Sequence, residues 1–171
     1  MKNIVQKIIT IVFGAVTFLS LALNFVTETS SIIGAGNVGS RHHSFTDWFD
    51  FVDDVAEGFK LTWMPIAKYV CYAALVLAII MIVMALIQML IRNKLANSLI
   101  SLFGVLAIVV GIAALVTLFV GVNEINDLTD IVILKAEYSL NIGAYILAIG
   151  TIGAGIFGLL STNKLGRKYR R

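Results

Sequence analysis

Cysteine and proline are almost missing from this 171-residue chain, which has one of each, Cys71 and Pro65. A lone cysteine excludes an internal disulfide. Histidine is nearly as scarce: the chain has two, the neighbours His42 and His43. A metal site joining them with Asp47 would need further ligands, and there is no third histidine and no nearby cysteine, so no metal is expected. Charge is scarce as well, at 13% of residues, where a soluble domain carries about 25%. A water-soluble fold of this length leaves roughly a third of its surface exposed and could not hide a chain that is so apolar; 59% of it is hydrophobic. No Asn-x-Ser/Thr sequon occurs. The chain also lacks a P-loop, a Rossmann glycine pattern, a His-x-x-x-His pair, a Cys-x-x-Cys pair and any nucleophile–base–acid set. Neither enzymatic activity nor a cofactor is therefore expected.

Long apolar runs take the place of these features. A membrane-spanning helix needs about 20 mostly apolar residues, and four segments qualify: residues 8–26, 67–91, 99–122 and 140–160. The fold class they predict is all-α, a polytopic membrane protein with four transmembrane helices in one antiparallel bundle. Residues 27–66 and 123–139 become outer loops, 92–98 a short cytoplasmic turn and 161–171 a tail, all in a single membrane domain. The first run is longer than the 7–15 residues of a signal-peptide core. Its Ser20-Leu21-Ala22 triplet is followed by the apolar Leu23, Phe25 and Val26, so an uncleaved helix is expected there. The turn at 92–98 makes the second and third spans antiparallel neighbours.

The charges are sorted between the gaps. The N-terminus, the 92–98 turn and the tail hold nine basic residues and no acidic one; the two larger gaps hold all ten acidic residues and, with Lys68 at the outer end of the second span beside them, only Arg41, Lys60 and Lys135. The formal charge of +3 is what remains of this asymmetry and gives no reason to expect nucleic acid as a partner. Cytoplasmic loops carry the excess of Lys and Arg, so both termini should be cytoplasmic, in the plasma membrane, with both acidic loops outside. Lys164, Arg167, Lys168, Arg170 and Arg171 read as a topology anchor on an anionic leaflet. Apart from Lys68 near an outer end, the spans hold no Asp, Glu, His, Lys or Arg, which argues against a secondary transporter or pump acting alone. Gln88 and Asn141, near helix ends, read as interfacial hydrogen-bonding groups. Cys71 reads as a packing residue.

Lipid supplies no hydrophobic drive for helix association, so small residues mark the contacts. Gly150, Ala154 and Gly158 recur every four residues in the fourth span, and Gly104, Ala107, Gly111 and Ala114 trace a stripe in the third. Packing between these two helices is the plainer expectation, a self-association face the sharper one.

The first outer loop carries the clearest pattern. At 100° per residue, residues 44–61 place Phe45, Trp48, Phe49, Val52, Val55, Ala56 and Phe59 on one face. Asp47, Asp50, Asp53, Asp54 and Glu57 fall on the opposite face, and only Phe51 breaks the pattern. Ser44 and Asp47 resemble an N-terminal capping box. Residues 34–40 before it read as a flexible stretch, and Pro65 as the separator between loop and second span. A helix that binds anionic lipid carries Lys and Arg on its polar face; this one carries acid. Its residues Phe45, Asp47, Trp48, Phe49, Asp50, Asp53, Asp54 and Glu57 are the candidate partner-binding set, with a lid over the helices as the plainer role.

The layout resembles the claudin-type tetraspan proteins in topology: four helices, cytoplasmic ends, a large first outer loop and a smaller second one. The resemblance stops there. Cys71 stands alone, so the paired loop cysteines are missing. Trp48 lacks its accompanying cysteines, and the Cys-Cys-Gly motif of tetraspanins is absent. The expected function is a non-enzymatic assembly or accessory subunit in the lipid bilayer, presenting an acidic outer loop to another membrane protein or to a second copy. An oligomeric pore with acidic loops at its mouth is the alternative.

Overall fold

The computed structural model describes residues 2–32, 36–58, 60–90, 94–129 and 134–162. The elements run α1 (Lys2–Leu19), β1 (Val26–Ile32), β2 (Gly36–His43), α2 (Phe45–Gly58), α3 (Trp63–Leu90), α4 (Lys94–Thr129), β3 (Leu134–Leu140) and α5 (Ile142–Ser161). The chain is mostly helical, and three helices, α3, α4 and α5, are long and apolar enough to cross a membrane. Their exposed side chains are themselves apolar: Val76, Val109 and Phe119 are 54%, 57% and 60% exposed. Water would not tolerate such a surface; lipid would.

The all-α expectation is corrected by a three-stranded antiparallel sheet, ordered β2-β1-β3. Val26 pairs with His43 on one side and Leu140 on the other, and a bulge lies between Ser30 and Ser31 of β1. Part of the stretch expected to be flexible, 36–40, belongs to β2; residues 33–35 lie outside the described residues.

The helix boundaries move for identifiable reasons. α1 stops at Leu19, before the apolar run ends, and a turn follows in which the Ala22 and Leu23 amides donate to the Leu19 carbonyl. Phe25 and Val26 then serve a different core and are fully buried there. Pro65 lies inside α3 rather than before it. It occupies the first turn, where its missing N–H would have had no intrahelical partner. α4 continues through Thr129, past the expected end at 122. An apolar run marks what lipid can bathe, whereas a helix ends where its hydrogen bonding does.

The chain divides into two compact units. One comprises Met1–Phe18, Tyr72–Ile112 and Leu147–Arg171, the other Leu19–Cys71 and Ala113–Ile146. In the first, other helices approach the glycines of α5 closely. A Cβ built on Gly104 would lie 3.0 Å from the Gly155 carbonyl oxygen, and one on Gly111 only 2.7 Å from the Ile152 side chain. Gly150 meets the Thr17 backbone, Gly153 the Phe13 ring and Gly158 the Met81 side chain. Ala154 is fully buried with Met81, Ala85, Ile100 and Ala107. The small residues of α5 therefore pack against α1 and α3 as well as α4.

Polar side chains of this unit pair with one another. Gln88, 2% exposed, donates from Nε2 to the side-chain Oδ1 of Asn97 and accepts from the Ser161 hydroxyl at 3.2 Å. Lys7 Nζ donates to the Gln88 backbone carbonyl at 2.7 Å, near the C-terminal end of α3, where the helix dipole favours a cation.

Candidate functional site

The second unit is assembled around α2 and the sheet. Ser44 starts α2 by accepting the Asp47 amide at 3.3 Å, while its hydroxyl donates to Asp47 Oδ2 at 2.6 Å. That hydroxyl holds the Asp47 carboxyl below its usual range, with nearby His43 and Arg41 adding to the effect. From this start the period of the helix carries Phe45, Trp48, Phe49 and Val52 inward. All four are at most 1% exposed.

Two aromatic groups form there. Phe25, Phe45 and Phe49 make one, with ring centroids 5.0–5.7 Å apart. His43, Trp48, Phe51 and Tyr138 make the other. Phe51, which breaks the amphipathic pattern, lies 5.5 Å from the Trp48 ring and 5.7 Å from that of Tyr138. It closes a gap that the helical stripe alone does not reach. The Trp48 indole N–H is buried with no hydrogen-bond partner among the described residues.

The sheet delivers the polar members of this core. Side chains alternate across a strand, so neighbours His42 and His43 part company. His43 turns inward, 5% exposed, with Nε2 3.1 Å from Glu28 Oε2 on β1. His42 stays on the outer face, its Nδ1 3.1 Å from the Thr27 hydroxyl. Glu28 also faces Tyr138 across β1 and β3. Burial, with Glu28 adding to it, pushes the Tyr138 phenol up to about 12.

The acidic residues therefore divide by task. Glu28 pairs with His43, and Asp47 belongs to the cap. Asp53 forms an ion pair with Lys68 of α3. Glu124 of α4 accepts three amides at the start of α3: Thr62 at 2.7 Å, Trp63 at 2.8 Å and Met64 at 3.2 Å. A carboxylate at a helix N-terminus contributes roughly 0.3–1 kcal/mol when exposed and more when partly buried. Asp50 and Asp54 remain on the exposed face of α2, one turn apart. The Glu57 side chain and Asp130 lie outside the described residues, as do Lys164, Arg167, Lys168, Arg170 and Arg171.

Of the eight residues that sequence marks on α2, three are buried rings, and the exposed part is carboxylate. Gly104, Gly111, Gly150, Ala154 and Gly158 all belong to the other unit. Sequence reasoning did not single out Glu28, Glu124, Asn126 or Tyr138. Asn141, noted only as a polar residue near a helix end, begins α5: its side-chain oxygen accepts the Ile142 amide at 2.7 Å and its Nδ2 donates to the Thr27 hydroxyl at 2.6 Å. Comparison with family models, curated proteins and solved structures finds no match to this chain.

Proposed function

We propose that this chain is a non-enzymatic subunit of the plasma membrane. Four helices cross the bilayer, both termini are cytoplasmic, and the sheet and α2 stand outside, where the exposed carboxylates of α2 contact a partner membrane protein. One observation carries this reading. The division into compact units coincides with the sorting of charge: all ten acidic residues fall in the unit of Leu19–Cys71 and Ala113–Ile146, and nine of the thirteen Lys and Arg in the other. Basic excess belongs on the cytoplasmic side. α1 has 18 residues, or about 27 Å at 1.5 Å per residue, close to the roughly 30 Å of a hydrocarbon core.

Acidic residues contribute little to orientation, so the acids of α2 call for another role, and among the described residues Asp50 and Asp54 have no hydrogen bond or ion pair that gives them one inside the fold. They are the favoured contact points. Gentle purification of wild type and of the Asp50→Asn/Asp54→Asn variant from native membranes tests this. A membrane protein retained by wild type and lost by the variant is expected; equal retention by both would overturn the reading. For orientation, Ser40→Cys and Lys164→Cys are placed singly in a Cys71→Ala background and treated with an impermeant thiol reagent on intact cells. Labelling is expected at 40 and not at 164, and the reverse would sink the topology.

A further inference from the structure

The two edges of the sheet are finished differently. The outer edge of β3 is closed by Asn126 of α4, whose Nδ2 donates to the Tyr138 carbonyl at 2.9 Å and whose Oδ1 accepts the Tyr138 amide at 2.7 Å. Among the described residues, the edge of β2 has no such closure. Its phase follows from the bonds it does make. The Phe25 amide donates to the His43 carbonyl at 2.8 Å, so the His43 backbone turns toward β1. Alternation along an antiparallel strand then turns Arg41 inward and Ser40 and His42 outward. The side chains agree: Thr27 and His42 stand opposite and approach to 3.1 Å, as the closer, non-hydrogen-bonded pairs do. Gly39, Ser40, Arg41 and His42 are all exposed. Among the described residues, nothing bonds to the outward amides and carbonyls of Ser40 and His42. Such an edge is a template for another strand.

We infer that β2 accepts an extended segment of a partner protein, added as a fourth strand along Ser40 and His42, and that this segment carries Lys or Arg. This rests on the subunit reading above and names the form of the partner. Main-chain bonds supply affinity in strand addition, and side chains supply selectivity. The selectivity here is set by charge. The unit holds ten acidic residues against four basic, and α2, which starts right after β2, presents Asp47 and Asp50 to solvent. Arg41, the basic residue of the edge, stands opposite Glu28 of β1, which offsets it. A second copy would bring the same acidic excess, which opposes self-pairing.

The test uses the full chain in phosphatidylcholine nanodiscs and a fluorescein-labelled decapeptide of alternating Lys and Thr, followed by anisotropy. Saturable binding is expected. Ser40→Pro removes only an outward N–H, a change an edge strand accepts, and should weaken binding at least tenfold. Asp47→Asn/Asp50→Asn should weaken it several-fold. The same peptide with alternate amides N-methylated should not bind, and this arm leaves the protein untouched if Ser40→Pro does not fold. Equal binding by wild type and a folded Ser40→Pro, or by the plain and N-methylated peptides, overturns the edge inference. So does no binding to wild type. The subunit reading stands or falls separately, on partner retention by the Asp50→Asn/Asp54→Asn variant.

Discussion

The unit built from α1, most of α3 and the halves of α4 and α5 bounded by Ile112 and Leu147 is held by what its residues lack. Its glycines and alanines let backbones approach until a single methyl group would collide, as at Gly104 and Gly155. The unit built from the sheet and α2 is held by bulk. Rings of Phe25, Phe45, Trp48, Phe49, Phe51 and Tyr138 fill it, and carboxylates and asparagines bond to its backbone ends. On the proposed topology the difference matches two solvents. In lipid, apolar bulk gains nothing from burial, so close fit is the driving term. In water, hiding aromatic surface is favourable, at roughly 25 cal/mol per Å².

Trp48→Ala strikes hardest at this contrast. Deleting a fully buried indole should cost about 3–5 kcal/mol. Hydrogen exchange should rise in β1, β2 and α2 far more than across 147–161; an even rise would show the two units to be one cooperative body. Gly155→Leu is the converse. Forcing a side chain against the Gly104 carbonyl should cost about 1–3 kcal/mol, as overpacking does, lowering the thermal midpoint in detergent. An unchanged midpoint would deny that close approach holds α4 to α5. The smallest effect is titration. Tyr138 has a folded value of about 12 against an ordinary 10. The unfolded chain therefore releases this proton first as pH rises. The stabilising effect is complete below about pH 10 and is lost between about 10 and 12. Wild type should lose stability over that window relative to Tyr138→Phe, measured by chemical unfolding at each pH. Parallel curves would place the phenol in water.

The three long apolar helices were readable because apolar runs are local signals. So was the face of α2, since a 3.6-residue period needs only its own segment. The sheet was not. Its strands are short and rich in Ser, Thr and His, and the central pairing joins Thr27 to Ser139, 112 positions apart, which no window along the chain can see. For the same reason the acids looked equivalent. Glu28 and Glu124 differ from Asp50 and Asp54 only in what the fold brings to them. Phe51 failed the amphipathic pattern because its neighbours, His43 and Tyr138, come from strands on either side of β1.

That central strand also sets a schedule. β1 and β2 are three residues apart in sequence, but β3 is synthesised only after α2, α3 and α4. At a translation rate of about 5–20 residues per second, β1 waits on the order of ten seconds for its second neighbour. Until then the hairpin is a two-stranded ribbon, which is at best marginally stable in water. The asparagine that bonds to Thr27 is the residue that starts α5, so the last strand of the sheet and the start of the last helix are fixed at one residue. A nascent protein stalled before residue 134 would have every apolar run but the last and no third strand to complete the sheet.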